Sequence, residues 1–292
     1  MKGGNRFYTA LLQLSAAINK SENLRKASMH VKKAAARGAQ IICLSPLDYS
    51  VGKPGFELCA ETIPGKTSDM LSSAARENGI YLVGGSMIET ANGKMYSTCL
   101  VHGPDGSMIA KHRKMNLLDI DIPGKSPFRE SDYLTPGDHL TTFDTPFCRV
   151  AVGLSQEIRF ALPAHLYAQL GCDLLVFSGF FNAYPRPFRW ELLQRARAMD
   201  NQFYVASVSP ARNQEASHSF RGHSMLVGPE GEVIQSAGPG EAMVMAELDL
   251  DYLSSVRKRT PLVKQHRDDL YKVVNTKDND GDREFFRNVL MI

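Results

Sequence analysis

No stretch of this chain approaches the roughly 18 consecutive apolar residues of a membrane span. Residues 1–8 hold no apolar core of signal-peptide length, so neither a membrane nor a secretory reading is supported. Cysteine is sparse: the five residues Cys43, Cys59, Cys99, Cys148 and Cys172 are odd in number and scattered. That pattern argues against a disulfide framework and a paired-cysteine metal site, and fits a reducing cytoplasm. The eight histidines show no ligand spacing, so no metal is expected. Charge of one sign is also lacking. The net charge is only +3, and no basic block interleaves with aromatics, which leaves nucleic-acid binding without support. Also missing is any Ser/Gly-rich linker that would divide the 292 residues.

What is present is an ordinary globular composition, 43% hydrophobic and 22% charged, in a chain long enough to bury a sizeable core. Strand-like and helix-like patterns alternate. Residues 7–14 read as a strand, 23–37 as an amphipathic helix ended by Gly38, and 39–44 as a short buried strand. Residues 68–78 read as a second helix closed by Gly79, and 80–85 as the next strand. Further on, strands are expected at 149–154, 173–178 and 203–209, with helices at 163–170 and 190–200 between them. This rhythm predicts an α/β fold with helices outside a sheet. Two turns share one pattern, Gly103-Pro104-Asp105-Gly106 and Gly228-Pro229-Glu230-Gly231. Both suit tight hairpins, and they mark either two similar halves or chance reuse of a common turn. The chain reads as one domain over residues 1–272 with a tail at 273–292. Within the tail, 276–283 is charged and glycine-containing, and 284–292 ends apolar.

Longer motifs carry a resemblance. Lys111-His112-Arg113-Lys114, the stretch at 119–125, the stretch at 207–212 and above all the stretch from Trp190 through Asn201 occur in one order. With these motifs, residues 7–271 resemble the nitrilase superfamily of carbon–nitrogen hydrolases, in its omega-amidase branch. The resemblance implies a four-layer α-β-β-α sandwich, a twofold homodimer, and hydrolysis of monoamides of dicarboxylic acids without a cofactor. It also implies a mechanism in which a cysteine thiolate forms a thioester, a glutamate shuttles protons, a lysine steadies the oxyanion, and a second glutamate assists.

Carried onto this sequence, the lysine is Lys114 and the second glutamate is Glu130. By composition alone the first would be a solvated basic turn and the second a surface-loop acid. The nucleophile does not carry over, because Ser155 stands in Gly153-Leu154-Ser155-Gln156-Glu157 where the family has cysteine. The base does not carry over either: Leu44-Ser45-Pro46 places Pro46 at the glutamate position. A serine hydroxyl needs an adjacent base, and proline can neither accept nor donate a proton. The expected pocket wall differs too. Phe180 replaces a small residue, Arg186 and Arg189 replace residues that are usually glycine and histidine, and Leu162 replaces an acid.

Asp48 and Glu157, each two residues past a lost position, are carboxylates that could rescue the chemistry, and Glu130 is a further candidate base. Three readings follow: a pseudoenzyme kept for binding a protein partner, a sister subunit or a metabolite; an amidase using Ser155; or a dicarboxylate-binding protein using Arg186, Arg189 and Lys114. For assembly, Leu192, Leu193, Ala196 and Met199 form an expected apolar stripe. Arg195 and Arg197 lie off it, free to pair across a boundary.

Overall fold

The first strand, β1 (Arg6–Gln13), shows how the chain is layered, because both its faces are buried. Leu11 points into one apolar cluster with Ile41, Cys43, Val83 and Val101, whereas Ala10 and Leu12 point into another. Successive side chains of a strand leave opposite faces, so a strand buried on both must lie in an inner layer. The computed structural model describes residues 5–15, 17, 19–47, 53–121, 123, 127–180, 188–212, 220–267 and 269–277, with backbone only at 53, 54, 188 and 189.

Two six-stranded sheets form the inner layers. The first runs, in order, β14 (Ala242–Asp249), β1, β2 (Ile41–Leu44), β3 (Tyr81–Ala91), β4 (Lys94–His102) and β5 (Met108–Arg113). The second runs β8 (Thr141–Asp144), β9 (Arg149–Leu154), β10 (Leu174–Ser178), β11 (Tyr204–Val208), β12 (Met225–Val227) and β13 (Val233–Ser236). In each, three parallel strands are followed by an antiparallel hairpin, and one antiparallel strand flanks the first. The two Gly-Pro-acid-Gly turns close the equivalent hairpins, β4–β5 and β12–β13. Each has a left-handed final glycine, Gly106 at φ 84° and Gly231 at φ 81°. Topology therefore favours two similar halves over chance reuse of a turn.

Between the sheets, Leu11, Ile41 and Val101 meet Val150, Val152, Leu174 and Val176. The outer face of the first sheet is covered by α1 (Lys20–Ala36), through Leu24, Ala27 and Val31. It is also covered by α3 (Lys66–Asn78), through Leu71, Ala74 and Ala75. The outer face of the second is covered by α4 (Ala161–Gln169) and α5 (Phe188–Asn201), through Ala164, Tyr167, Trp190 and Ala198. The result is the expected α-β-β-α sandwich. No helix among the described residues is long and apolar enough to cross a membrane.

Three differences from the sequence reading have local causes. Strand β3 continues past Gly84 and Gly85 to Ala91, because a bulge between Val83 and Ser86 absorbs the glycines. Gly85 sits at φ 74°, and a Cβ there would lie 2.4 Å from the Ser45 carbonyl oxygen. The helix Leu250–Arg259 was not expected; the Asp249 side chain caps it by accepting from the Tyr252 N–H. The expected apolar stripe of α5 is not its buried face. Trp190, Gln194, Arg197, Ala198 and Asn201 face inward, while Leu192 and Met199 are 65% and 60% exposed. Arg197 is correspondingly not a boundary pair, since its guanidinium donates to the carbonyls of Ile158 (3.0 Å) and Arg159 (3.1 Å).

At the domain edge, Val273, Val274 and Asn275 line a cleft with Leu140, Leu166 and Leu170. Lys277 pairs with Asp138 at 2.7 Å. Beyond residue 277 the expected tail lies outside the described residues.

Candidate active site

Strand β9 delivers Ser155 to the carboxyl end of the second sheet. Leu154 ends the strand, Ser155 turns left-handed at φ 51°, and a 3-10 turn (Ser155–Arg159) leads into α4. A left-handed non-glycine residue costs roughly 1–2 kcal/mol, so the surroundings must impose it. Gly179 is one such surrounding: a Cβ there would stand 2.3 Å from Ser155 Cα, so only glycine lets the end of β10 pass behind the elbow. The Ser155 hydroxyl, half-buried, donates to the Phe180 carbonyl at 3.3 Å. No other hydrogen bond of that hydroxyl is made among the described residues. The Phe180 ring packs on Phe220 with centroids 5.0 Å apart.

Glu157 fixes the elbow from beneath. Its Oε2 accepts from the Leu154 N–H (2.7 Å) and faces His112 Nε2 (2.9 Å). Its Oε1 accepts from the N–H groups of Met115 (2.8 Å) and Asn116 (3.2 Å). His112 in turn contacts the Thr141 hydroxyl at 3.0 Å. Burial alone would push the Glu157 carboxyl up, but His112 and the backbone N–H groups outweigh it and hold the carboxyl below its ordinary value. Both oxygens are thus spent on structure, which removes Glu157 as a rescuing base. This network also ties the elbow to the segment that follows β5, and sequence reasoning missed it: the histidine and the acid are 45 residues apart.

Lys114 lies on that segment. Its N–H donates to the Ser97 carbonyl (2.8 Å), its carbonyl accepts from the Gly137 N–H (2.8 Å), and its side chain is only 2% exposed. A solvated turn is therefore ruled out. Its Nζ meets Glu130 Oε2 at 2.5 Å, and the same oxygen accepts from the Leu118 N–H at 2.7 Å. Glu130 follows the two-residue strands β6 (Asp119–Ile120) and β7 (Phe128–Arg129), whose pairing holds it there rather than on a surface loop. A buried ammonium needs such a partner, since an isolated one costs several kcal/mol.

Pro46 is buried two residues past β2. The Ser178 hydroxyl crosses between the sheets to the Leu44 carbonyl (2.9 Å), and the Ser45 hydroxyl accepts from the Leu14 N–H (3.3 Å). So the carboxyl ends of β2 and β10 meet, with Pro46 and Phe180 each two residues beyond the strand. Asp48, Arg186 and the Arg189 side chain lie outside the described residues. No described cysteine in the core offers a substitute thiolate. Burial pushes the thiols of Cys43, Cys99, Cys148 and Cys172 up, the last three to about 12. Among the described residues no group of three or more His, Cys, Asp or Glu is placed to hold a metal ion.

A two-sheet sandwich with a strained elbow at a strand end, beside a buried Lys–Glu pair, is the architecture of the nitrilase superfamily. The family model for carbon–nitrogen hydrolases matches residues 8–258, and the chain belongs to that family. The chain is 49% identical to the omega-amidase NIT2 of Xenopus tropicalis over 274 residues, 94% of this chain and 99% of the relative. It is equally 49% identical to the human omega-amidase NIT2 over 268 residues, 91% of this chain and 97% of the relative. Among solved structures, Saccharomyces cerevisiae Nit3, a nitrilase-superfamily member, superposes with a TM-score of 0.81 at 33% identity over 90% of this chain and 97% of its own. The C. elegans NitFhit protein superposes with a TM-score of 0.85 at 26% identity, over 94% of this chain and 68% of its own.

Proposed function

We propose that this chain is a catalytically silent relative of the omega-amidases, one that keeps the fold and the Lys114–Glu130 pair but not the hydrolytic step. The observation that carries this reading is the Ser155 hydroxyl donating to a backbone carbonyl, in a site whose base position is the buried Pro46. To attack an amide, that hydroxyl must lose its proton to a base. A positioned acid–base group alone contributes roughly 10²–10⁴ in rate. Members of a nucleophile–base unit are non-additive, so losing both leaves only what Lys114 and backbone donors supply to an oxyanion. The relatives' name, omega-amidase, points to monoamides of dicarboxylic acids as the compounds to assay. Succinamate and α-ketoglutaramate should show no turnover above background, with an active relative as control. Turnover within about a hundredfold of that control would sink the reading.

The active alternative, with Ser155 as nucleophile, has one observation in its favour: the strained elbow is kept. The same assay decides between them. We further propose a twofold homodimer built on the outer face of α4 and α5, where Phe160, Leu162, Leu192 and Met199 are exposed. A light-scattering mass near the 32.3 kDa of one chain would refute it. The free cysteines support a reducing, cytoplasmic setting.

A further inference from the structure

Next to the elbow, two chain segments cross and bring arginines together. Pro210 accepts from the Gly222 N–H at 3.1 Å, and the Ser209 N–H donates to the Ser224 hydroxyl at 3.0 Å. One step further along, Arg212 Nε reaches the Phe220 carbonyl at 3.4 Å, which sets the Arg212 guanidinium against the backbone that carries Arg221. The crossing is held under strain. Gly222 and His223 are both left-handed, at φ 67° and 54°, and a Cβ on Gly222 would lie 2.6 Å from the Pro239 carbonyl oxygen. The Trp190 indole N–H fastens the turn from α5 by donating to the His223 carbonyl at 2.8 Å.

Arg221 has no counter-charge among the described residues. It is half-buried, its Nε is fully buried without a hydrogen-bond partner, and it pairs with no acid among the described residues. Burial, then Arg212, lower its pKa, against a weaker opposing pull from Glu191; the same two arginines, after burial, lower that of His223. Glu191 is already engaged by Arg195 at 3.1 Å, and the buried Lys114 is neutralised by Glu130. A buried donor of a charged group left unsatisfied is costly, and two adjacent guanidiniums repel. An anion between the two would satisfy the donor and remove the repulsion.

We propose that Arg212 and Arg221 bind a small, doubly charged oxyanion. Guanidinium forks match the paired oxygens of carboxylates and phosphates, and two forks with no acid partner among the described residues call for two negative charges. The site adjoins the Ser155 elbow across the Phe180–Phe220 ring pair, so a bound anion would stand at the edge of the candidate active site. The assignment is independent of whether Ser155 hydrolyses anything. Two sources share this chemistry, a phosphoryl group and a dicarboxylate.

Titration calorimetry on the whole chain, with inorganic phosphate and with succinate at ionic strength held constant by chloride, separates them. Saturable binding of either is expected, weakened about tenfold or more by Arg221→Gln and by Arg212→Gln, and unchanged by Lys258→Gln on an exposed helix surface. Phosphate alone assigns a phosphoryl group, succinate alone a dicarboxylate, and both a site selected by charge. Should Arg221→Gln fold poorly, Arg221→Lys keeps the charge, loses the fork, and should still weaken binding. In anion-free buffer Arg221→Gln should melt above wild type, because an unpaired cation is gone. No saturable binding of either anion, binding that survives both arginine variants, or a lower melting temperature for Arg221→Gln overturns the proposal.

Discussion

The two halves of the sandwich follow one plan, yet they end their strands differently at register-equivalent places. Leu12 pairs with Leu44 in the first sheet as Leu154 pairs with Ser178 in the second, so Gln13 corresponds to Ser155, Ser45 to Gly179 and Pro46 to Phe180. Gln13 stays in its strand and uses its amide on the second half: it donates to the carbonyls of Gly238 (2.7 Å) and Gly240 and accepts from the Ser224 N–H (2.8 Å). Ser155 instead turns left-handed over a glycine that leaves no room for a side chain. The topology plainly closes without a strained residue, because the first half does so. The strain at Ser155 is therefore extra to the fold and falls in the candidate site. What that site lacks is supplied by neither half: Pro46 and Phe180, the two equivalent residues, carry no proton-accepting side chain.

Removing the anchor that only the second half has should cost the most. Glu157→Ala leaves His112 and three backbone N–H groups without their acceptor and should cost about 3–5 kcal/mol in denaturant unfolding. The sign of its pH effect follows from the depressed carboxyl. Its stabilisation is fully present above the ordinary value of 4.5 and is lost as pH falls through the lower folded value, so wild type and Glu157→Ala should converge in acid. A constant gap down to the lowest pH at which the protein folds would contradict this.

Next in size is Gly179→Ala. Its Cβ would meet Ser155 backbone rather than a movable side chain, for about 3 kcal/mol. The counterpart Ser45→Ala loses only a hydroxyl that accepts from Leu14 and should cost about 1 kcal/mol. Equal costs would mean the elbow is as relaxed as the first half. The smallest effect sharpens the contrast most. Ser155→Gly should gain about 0.5 kcal/mol, relief of the left-handed strain less the added chain entropy, while Gln13→Gly should lose about 2 kcal/mol. A loss at both positions would remove the claim of surplus strain.

Much of this architecture was legible in the sequence, and the exceptions have a common cause. Apolar runs and Gly-Pro turns mark strands and hairpins because burial and φ act locally, which is why the repeated turns could be read from four residues each. The inner face of α5 was not legible, because Gln194, Arg197 and Asn201 are buried there to serve backbone carbonyls of Trp190, Ile158, Arg159 and Arg197, not for apolarity. Lys114 and Glu130 were placed by resemblance alone, and only the fold shows that the pair is buried. The His112–Glu157 link and the Arg212–Arg221 crossing join residues whose relation exists only once the sheets are stacked.

The proposed loss of hydrolysis needs two positions together, Ser155 in the second half and Pro46 in the first. It is tested most directly by steady-state turnover of succinamate by wild type, Ser155→Cys and the Pro46→Glu/Ser155→Cys double variant, measured side by side. Background rates are expected for the first two and measurable turnover only for the double variant. Turnover by wild type, or full recovery by Ser155→Cys alone, would contradict it, since either would mean that a base is already in place.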